Sequence, residues 1–212
     1  MEIKYFDNAA TTRIKEEVFR EMVPYLTNQY GNASSIYKIG RDSRRAIEQA
    51  RGRVASLFNS DPSEIYFTSC GSESDNMALK GMAYLQKEKG TGKDHIITSK
   101  IEHPAILESC KTLEKQDFRV TYLDVDKEGV VDLNSLENAI DEKTFLISIM
   151  YANNEIGTIE PIEQISKIAH NHNIIFHTDA VQATGNVDID VKKLNIDILS
   201  MSGHKIYAPK GI

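Results

Sequence analysis

The sequence predicts an α/β domain built on a largely parallel sheet with helices on both faces. Two observations carry that prediction. From about residue 40 to the end, helical and strand patterns alternate. In addition, the strand-like runs end in short clusters of polar residues, as strands of open α/β sheets do where they meet ligands.

Arg41 to Phe58 carries Ile47, Ala50, Val54, Leu57 and Phe58 at helical spacing, and Asp61-Pro62 breaks it. Glu64 to Ser69 is short, β-branched and aromatic, and reads as a strand. Met77, Ala78, Gly81, Met82 and Leu85 mark a helix that the Gly90–Gly92 segment ends. His95 to Ser99 reads as a strand. Pro104 sits where a first helical turn tolerates proline, ahead of the stripe Ile106, Leu107, Cys110 and Leu113. Arg119 to Val125 is a strand, and Leu133, Leu136 and Ile140 make a short helix. Thr144 to Tyr151 is the most apolar strand. Pro161 opens a helix with Ile162, Ile165, Ile168 and Ala169 on one face. Ile174–Thr178 and Ile196–Met201 are the last strands.

The first forty residues differ. They hold one amphipathic helix, with Val18, Met22, Tyr25 and Leu26 on one side, among turns rich in Asn, Ser and Gly. The expected division is therefore an N-terminal arm over 1–40 and a large domain over 41–212. That domain is expected to be incomplete at its C-terminal end, because the chain stops at Pro209-Lys210-Gly211-Ile212 as another element begins.

The totals exclude several classes. A net charge of −6 with no long run of like charge argues against a nucleic-acid surface or a polybasic membrane patch. No apolar span is long enough for a bilayer, and Met1 to Asp7 lacks a signal peptide's apolar stretch, so the expected compartment is the cytoplasm. Cys70 and Cys110 form neither a metal-ligand spacing nor a disulfide framework and read as small buried hydrophobes.

The clusters beyond the strands are Cys70-Gly71-Ser72-Glu73-Ser74, Glu102-His103-Pro104, Asn153-Asn154-Glu155-Ile156-Gly157, Asp179-Ala180-Val181-Gln182 and Ser202-Gly203-His204-Lys205. Singly, each has an ordinary explanation as a helix cap, a turn or a solvated lysine. Together they supply what a pyridoxal phosphate site needs. Lys205 offers an amine for the aldehyde. Gly71, Ser72, Ser202 and His204 offer N–H and hydroxyl donors for a phosphate at a helix N-terminus. Asp179 suits a protonated pyridine nitrogen. Asn154 or Gln182 suits the phenolic oxygen. His103 can stack on the ring and move protons. No G-x-G-x-x-G follows the first strand, which argues against a dinucleotide fold.

These residues resemble a known family. Phe6-Asp7-Asn8-Ala9-Ala10-Thr11-Thr12, Gly31-Asn32-Ala33-Ser34-Ser35, Phe67-Thr68-Ser69, Glu73-Ser74-Asp75-Asn76, Glu102-His103, Asn153 to Gly157, His177 to Gln182 and Ser202 to Lys205 stand in the order of the cysteine desulfurases. These are pyridoxal phosphate enzymes of fold type I, in the class V aminotransferase group, and the chain resembles their N-terminal part. The resemblance implies the large domain of that fold, with a smaller C-terminal domain missing. It implies that Lys205 holds the cofactor and moves the substrate proton, that Asp179 pairs with the pyridinium and that Gln182 bonds the phenolic oxygen. It implies that His103 stacks on the ring and joins in proton transfer, that Gly71, Ser72, Ser202 and His204 hold the phosphate, and that Asn154 meets the substrate carboxylate. The implied substrate is L-cysteine, which becomes L-alanine while its sulfur passes as a persulfide to a scaffold or carrier protein. A homodimer is also implied.

The departures are specific. Tyr37 stands where the family usually has His, and Ser72 replaces the common Thr of the phosphate turn. The family's persulfide cysteine and its carboxylate-gripping arginine lie in the C-terminal part, and no residue here matches them. These 212 residues alone are therefore expected to be inactive. A selenocysteine lyase, another class V aminotransferase, or a truncated chain that binds cofactor without catalysis are the alternative readings.

Overall fold

The computed structural model describes residues 4–212. Residues 1–3 of the expected arm, and with them the first three residues of the segment read for a signal peptide, lie outside the described residues. The strands are β1 (His95–Ser99), β2 (Arg119–Leu123), β3 (Thr144–Ser148), β4 (Ile175–Asp179) and β5 (Ile198–Ser200). All pair in parallel, in the order β2-β1-β3-β4-β5. The helices are α1 (Glu16–Thr27), α2 (Lys38–Phe58), α3 (Gly71–Lys89), α4 (Pro104–Glu114), α5 (Leu133–Ala139) and α6 (Ile162–Asn171).

The strand sequences explain the layering. Successive side chains point to opposite faces. Ile96 and Leu146 therefore pack with Ala78 and Leu79 of α3 and with Ile106 and Leu113 of α4. Their neighbours Ile97 and Ile147, with Phe176, pack on the other face against Leu136 of α5 and Ile162 and Ile165 of α6. Every residue of β1 and β3 is buried, which is why these segments lack polar alternation.

Local chemistry sets the helix starts. Pro104 opens α4, and the His103 ring caps it by accepting from the Ala105 N–H at 3.1 Å. Asp132 caps α5 through the Ser135 N–H at 2.8 Å. Gly90, at φ 60°, ends α3 in the left-handed region that glycine tolerates.

One expected strand is absent. Glu64–Ser69 does not pair. Pro62–Glu64 forms a 3-10 turn, and residues 65–68 carry no regular structure. The Ile65 carbonyl is taken by the Arg51 guanidinium of α2, and the Phe67 ring lies 4.9 Å from that guanidinium. Across from this segment lies β5, at the edge of the sheet, and a groove of about 720 Å³ is lined by Ile65 and Phe67 on one side and Leu199 and Met201 on the other. The other differences are shifts of bounds: α2 starts at Lys38, and β3 ends at Ser148. Backbone bonding continues past β3, since the Ile149 and Tyr151 amides donate to the His177 and Asp179 carbonyls at 3.2 and 2.9 Å.

Chain order makes β1 run on to β2 at one edge, after which β3 and β4 build the other way. A crevice at such a reversal, beyond the carboxyl ends of the strands, is where open α/β sheets bind ligands. The turns after β1 and β3 flank it.

Candidate active site

A cleft of about 510 Å³ opens beyond the strand ends. Gly71, Ser72, His103, Asn154, Asp179, Gln182, Ser202, His204 and Lys205 all line it, so every residue singled out in the sequence comes to one place. The parallel sheet does this. The β4–β5 register sets Asp179 beside Ser200, and the turn that carries Ser202 to Lys205 follows directly.

Asp179 ends β4 and is 5 % exposed. Its Oδ1 accepts from the Val181 N–H at 2.9 Å. Burial pushes its pKa up, while the Val181 N–H and the nearby His103 and Lys205 favour its charged form.

Lys205 closes a 3-10 turn over Gly203–Lys205. Its Nζ donates to the carbonyl of Ala9, and to that of Ala10 at 3.0 Å. Burial lowers its pKa, with Asp7 and Asp179 acting in the opposite direction, so more of the amine is uncharged than in water. An uncharged amine is the form that attacks an aldehyde.

The N-terminal arm lies across this turn. Thr12 donates from its N–H and its hydroxyl to the His204 carbonyl, at 2.9 and 2.7 Å, and its hydroxyl accepts from the Tyr207 N–H at 2.8 Å. Thr11 Oγ1 is 3.0 Å from His204 Nδ1. The Ala9 carbonyl also accepts from Gln182 Nε2 at 3.0 Å.

On the opposite side, α3 begins at Gly71 with no side-chain cap. A Cβ at Gly71 would meet Val181 Cγ2 at 3.0 Å and Ser202 Cβ at 3.4 Å, so glycine lets the helix end approach the Ser202 turn. An uncapped helix start beside Ser72, Ser202 and His204 suits an anion. His204 is held below the usual imidazole pKa by burial and then by Lys205 and Lys210.

The His103 cap fixes its ring chemistry. Nδ1 accepts a hydrogen bond, so the neutral ring carries its proton on Nε2. Glu102 beneath it is 4 % exposed; Oε1 accepts from Ser99 Oγ at 2.6 Å and the Met150 N–H at 3.0 Å. Asn153 ties the same region together. Its Oδ1 accepts from the Glu155 and Ile156 amides, and its Nδ2 donates to the Ile101 carbonyl at 3.0 Å. This holds Asn154 at the cleft. Cys110 is buried in the core, with its thiol pushed up to about 12 by burial. Cys70 lines the cleft as the residue before α3.

The family model of class-V aminotransferases matches residues 4–212. The chain belongs to that family. Its members are pyridoxal phosphate enzymes. The chain is 55% identical over 208 residues to cysteine desulfurase IscS of Clostridium botulinum (strain Kyoto / Type A2), across 98% of this chain and 52% of that one. With cysteine desulfurase IscS of Methanosarcina thermophila, identity is 57% over 207 residues, or 98% of this chain and 50% of that one. Among solved structures, SspA in complex with cysteine matches with a TM-score of 0.95 at 45% identity, covering 99% of this chain and 59% of that one. The chain thus spans about half the length of the curated relatives it matches.

The cleft fits the cofactor of the class-V family. It presents an amine, a buried carboxylate, an amide donor, an imidazole and an uncapped helix start, and these match an aldehyde, a pyridine nitrogen, a phenolic oxygen, a ring face and a phosphate. The residues expected at the site do not include Asp75, Ala9 or Ala10, which also line the cleft. For Asp75 a signal existed: it lies four residues after Gly71, on the same helix face. Ala9 and Ala10 act through backbone oxygens, which no side chain announces.

Proposed function

We propose that the chain is the cofactor-holding part of a cysteine desulfurase. The reaction takes L-cysteine and an enzyme thiol to L-alanine and an enzyme persulfide; a C–S bond breaks, an S–S bond forms and the protons balance. The observation that carries this reading is the meeting of Lys205, Asp179, Gln182 and His103 on one cleft. The relatives named cysteine desulfurase support the choice of substrate.

Bound pyridoxal phosphate supplies an electron sink for negative charge on the substrate Cα. The residues then divide the work. Lys205 would leave the Ala9 and Ala10 carbonyls to hold the cofactor and to move the Cα proton. Asp179 would keep positive charge on the ring nitrogen. Gln182 would turn its Nε2 from the Ala9 carbonyl to the phenolic oxygen. His103 would stack on the ring and exchange a proton through Nε2. Gly71, Ser72, Ser202 and His204 would hold the phosphate, and Asn154 would meet the substrate carboxylate.

The same reading divides the chain into an arm (1–40) and a cofactor domain (41–212). It gives a homodimer in the cytoplasm that hands sulfur to a scaffold or carrier protein. Among the described residues, no helix is long and apolar enough to cross a membrane.

The test joins these residues to the C-terminal half of Clostridium botulinum IscS, loads the chimera with pyridoxal phosphate and supplies L-cysteine. Alanine and protein-bound sulfur in equal amounts are expected. A chimera that takes up cofactor but consumes only other amino acids would contradict the assignment.

A further inference from the structure

Beneath the cleft, α3 and β4 bury two carboxyl groups. Asp75 is 1 % exposed and Asp179 is 5 % exposed, and both line the cleft. Their surroundings differ. Asp75 Oδ1 accepts no hydrogen bond. The basic group beside it is His177, whose Nε2 lies 3.9 Å away. His177 offers no charge. It is fully buried, with Nδ1 2.8 Å from Ser148 Oγ and Nε2 3.0 Å from Ser200 Oγ, and burial drives its pKa down to about 3. Burial pushes the nearby Glu102 up to about 8, with the charges of Asp179 and Asp75 adding to that rise. The Lys205 ammonium and the Val181 N–H both serve Asp179 instead.

Two carboxylates in one dry site cannot both ionise cheaply, so one proton stays. A buried carboxylate oxygen without a donor is the costliest place for negative charge, and a neutral carboxyl there costs less. We propose that Asp75 is a positioning residue that keeps a proton at neutral pH, leaving Asp179 as the single negative charge of the pair. This rests on the proposed cofactor reading for its consequence: the ring nitrogen would face a charged Asp179 because Asp75 does not compete for that charge. The direction of the Asp75 shift agrees, up to about 8, from burial first and from Asp179 second, with the Ser200 hydroxyl opposing.

The test is a titration of the full chain labelled with carbon-13 at aspartate side-chain carboxyls only, which leaves Glu102 silent. One signal is expected to titrate with a midpoint near 8, to vanish in D75N, and to move down by about one pH unit or more in D179N. The proposal is overturned if the high-titrating signal vanishes in D179N and persists in D75N, or if no aspartate titrates above about pH 6. Should D179N fail to fold, wild type and D75N alone still decide which residue carries the signal. A merely structural Asp75 would leave no such titration. Cofactor uptake is read separately by absorbance, so a chain that binds no pyridoxal phosphate can still confirm or refute where the proton sits.

Discussion

Lys205 Nζ donates to the Ala10 carbonyl oxygen at 3.0 Å, and to the Ala9 oxygen beside it. The amine proposed to hold the cofactor is therefore tethered to the N-terminal arm. Thr12 pins that arm through its bonds to His204 and Tyr207. T12V keeps the shape of this buried side chain but strands the Tyr207 N–H, and it should cost about 1–2 kcal/mol in denaturant melts. It should also speed covalent capture of pyridoxal phosphate by Lys205, as followed by absorbance. An unchanged capture rate would show that the arm does not restrain the amine.

Stability should depend on pH through buried groups of opposite sign. Asp75 and Glu102 are both raised to about 8 in the fold, so their contribution is complete below the ordinary carboxylate range and is lost progressively as pH rises from that range to about 8. His177 is lowered to about 3, so its contribution is present above the ordinary histidine pKa and is lost as pH falls through that value toward 3. E102Q should flatten the fall in melting temperature between the ordinary carboxylate range and about pH 8 while keeping the Ser99 and Met150 contacts. H177Q should flatten the acid limb. Parallel profiles for wild type and both variants would refute these assignments.

Asn153 joins the turns after β1 and β3 by donating from Nδ2 to the Ile101 carbonyl, and it holds its own turn by accepting from the Glu155 and Ile156 amides. N153A should cost about 1–2 kcal/mol, since it removes hydrogen bonds whose amide partners Glu155 and Ile156 can turn to water, and should weaken pyridoxal phosphate binding by displacing Asn154. Equilibrium unfolding and cofactor titration read the two effects separately. Lost stability with unchanged affinity would remove Asn153 from any role at the site.

Much of this was legible in the sequence, for identifiable reasons. Strands such as His95–Ser99 are buried on both faces, so composition alone marks them, and a parallel sheet carries the residues that follow them to one edge. Glu64–Ser69 shows the limit. Its β-branched and aromatic content suits a strand, but composition does not supply a partner, and Arg51 takes the Ile65 carbonyl instead. The arm's contact with Lys205 was illegible because Ala9 and Ala10 contribute carbonyl oxygens, and the role of Asp75 was hard to read, despite its place one helical turn after Gly71, because a carboxyl on a helix usually faces water.

A polypeptide of these 212 residues, loaded with pyridoxal phosphate, should release no alanine from L-cysteine. Cys110 is buried with a strongly raised thiol pKa, and no residue matches the family's persulfide cysteine. Amino-acid analysis after incubation with excess L-cysteine makes the check. Alanine at up to one equivalent would mean that a thiol within these residues, such as Cys70 at the cleft, accepts the sulfur, and continued release would mean that free cysteine does.

The central claim is that the cleft holds pyridoxal phosphate through Lys205. The direct measurement is to incubate the chain with the cofactor, reduce with borohydride and map the modified peptide by mass spectrometry. The expected result is a single label on Lys205, absent in K205A. A folded chain with no label, or with label spread over surface lysines and unchanged in K205A, would contradict the claim.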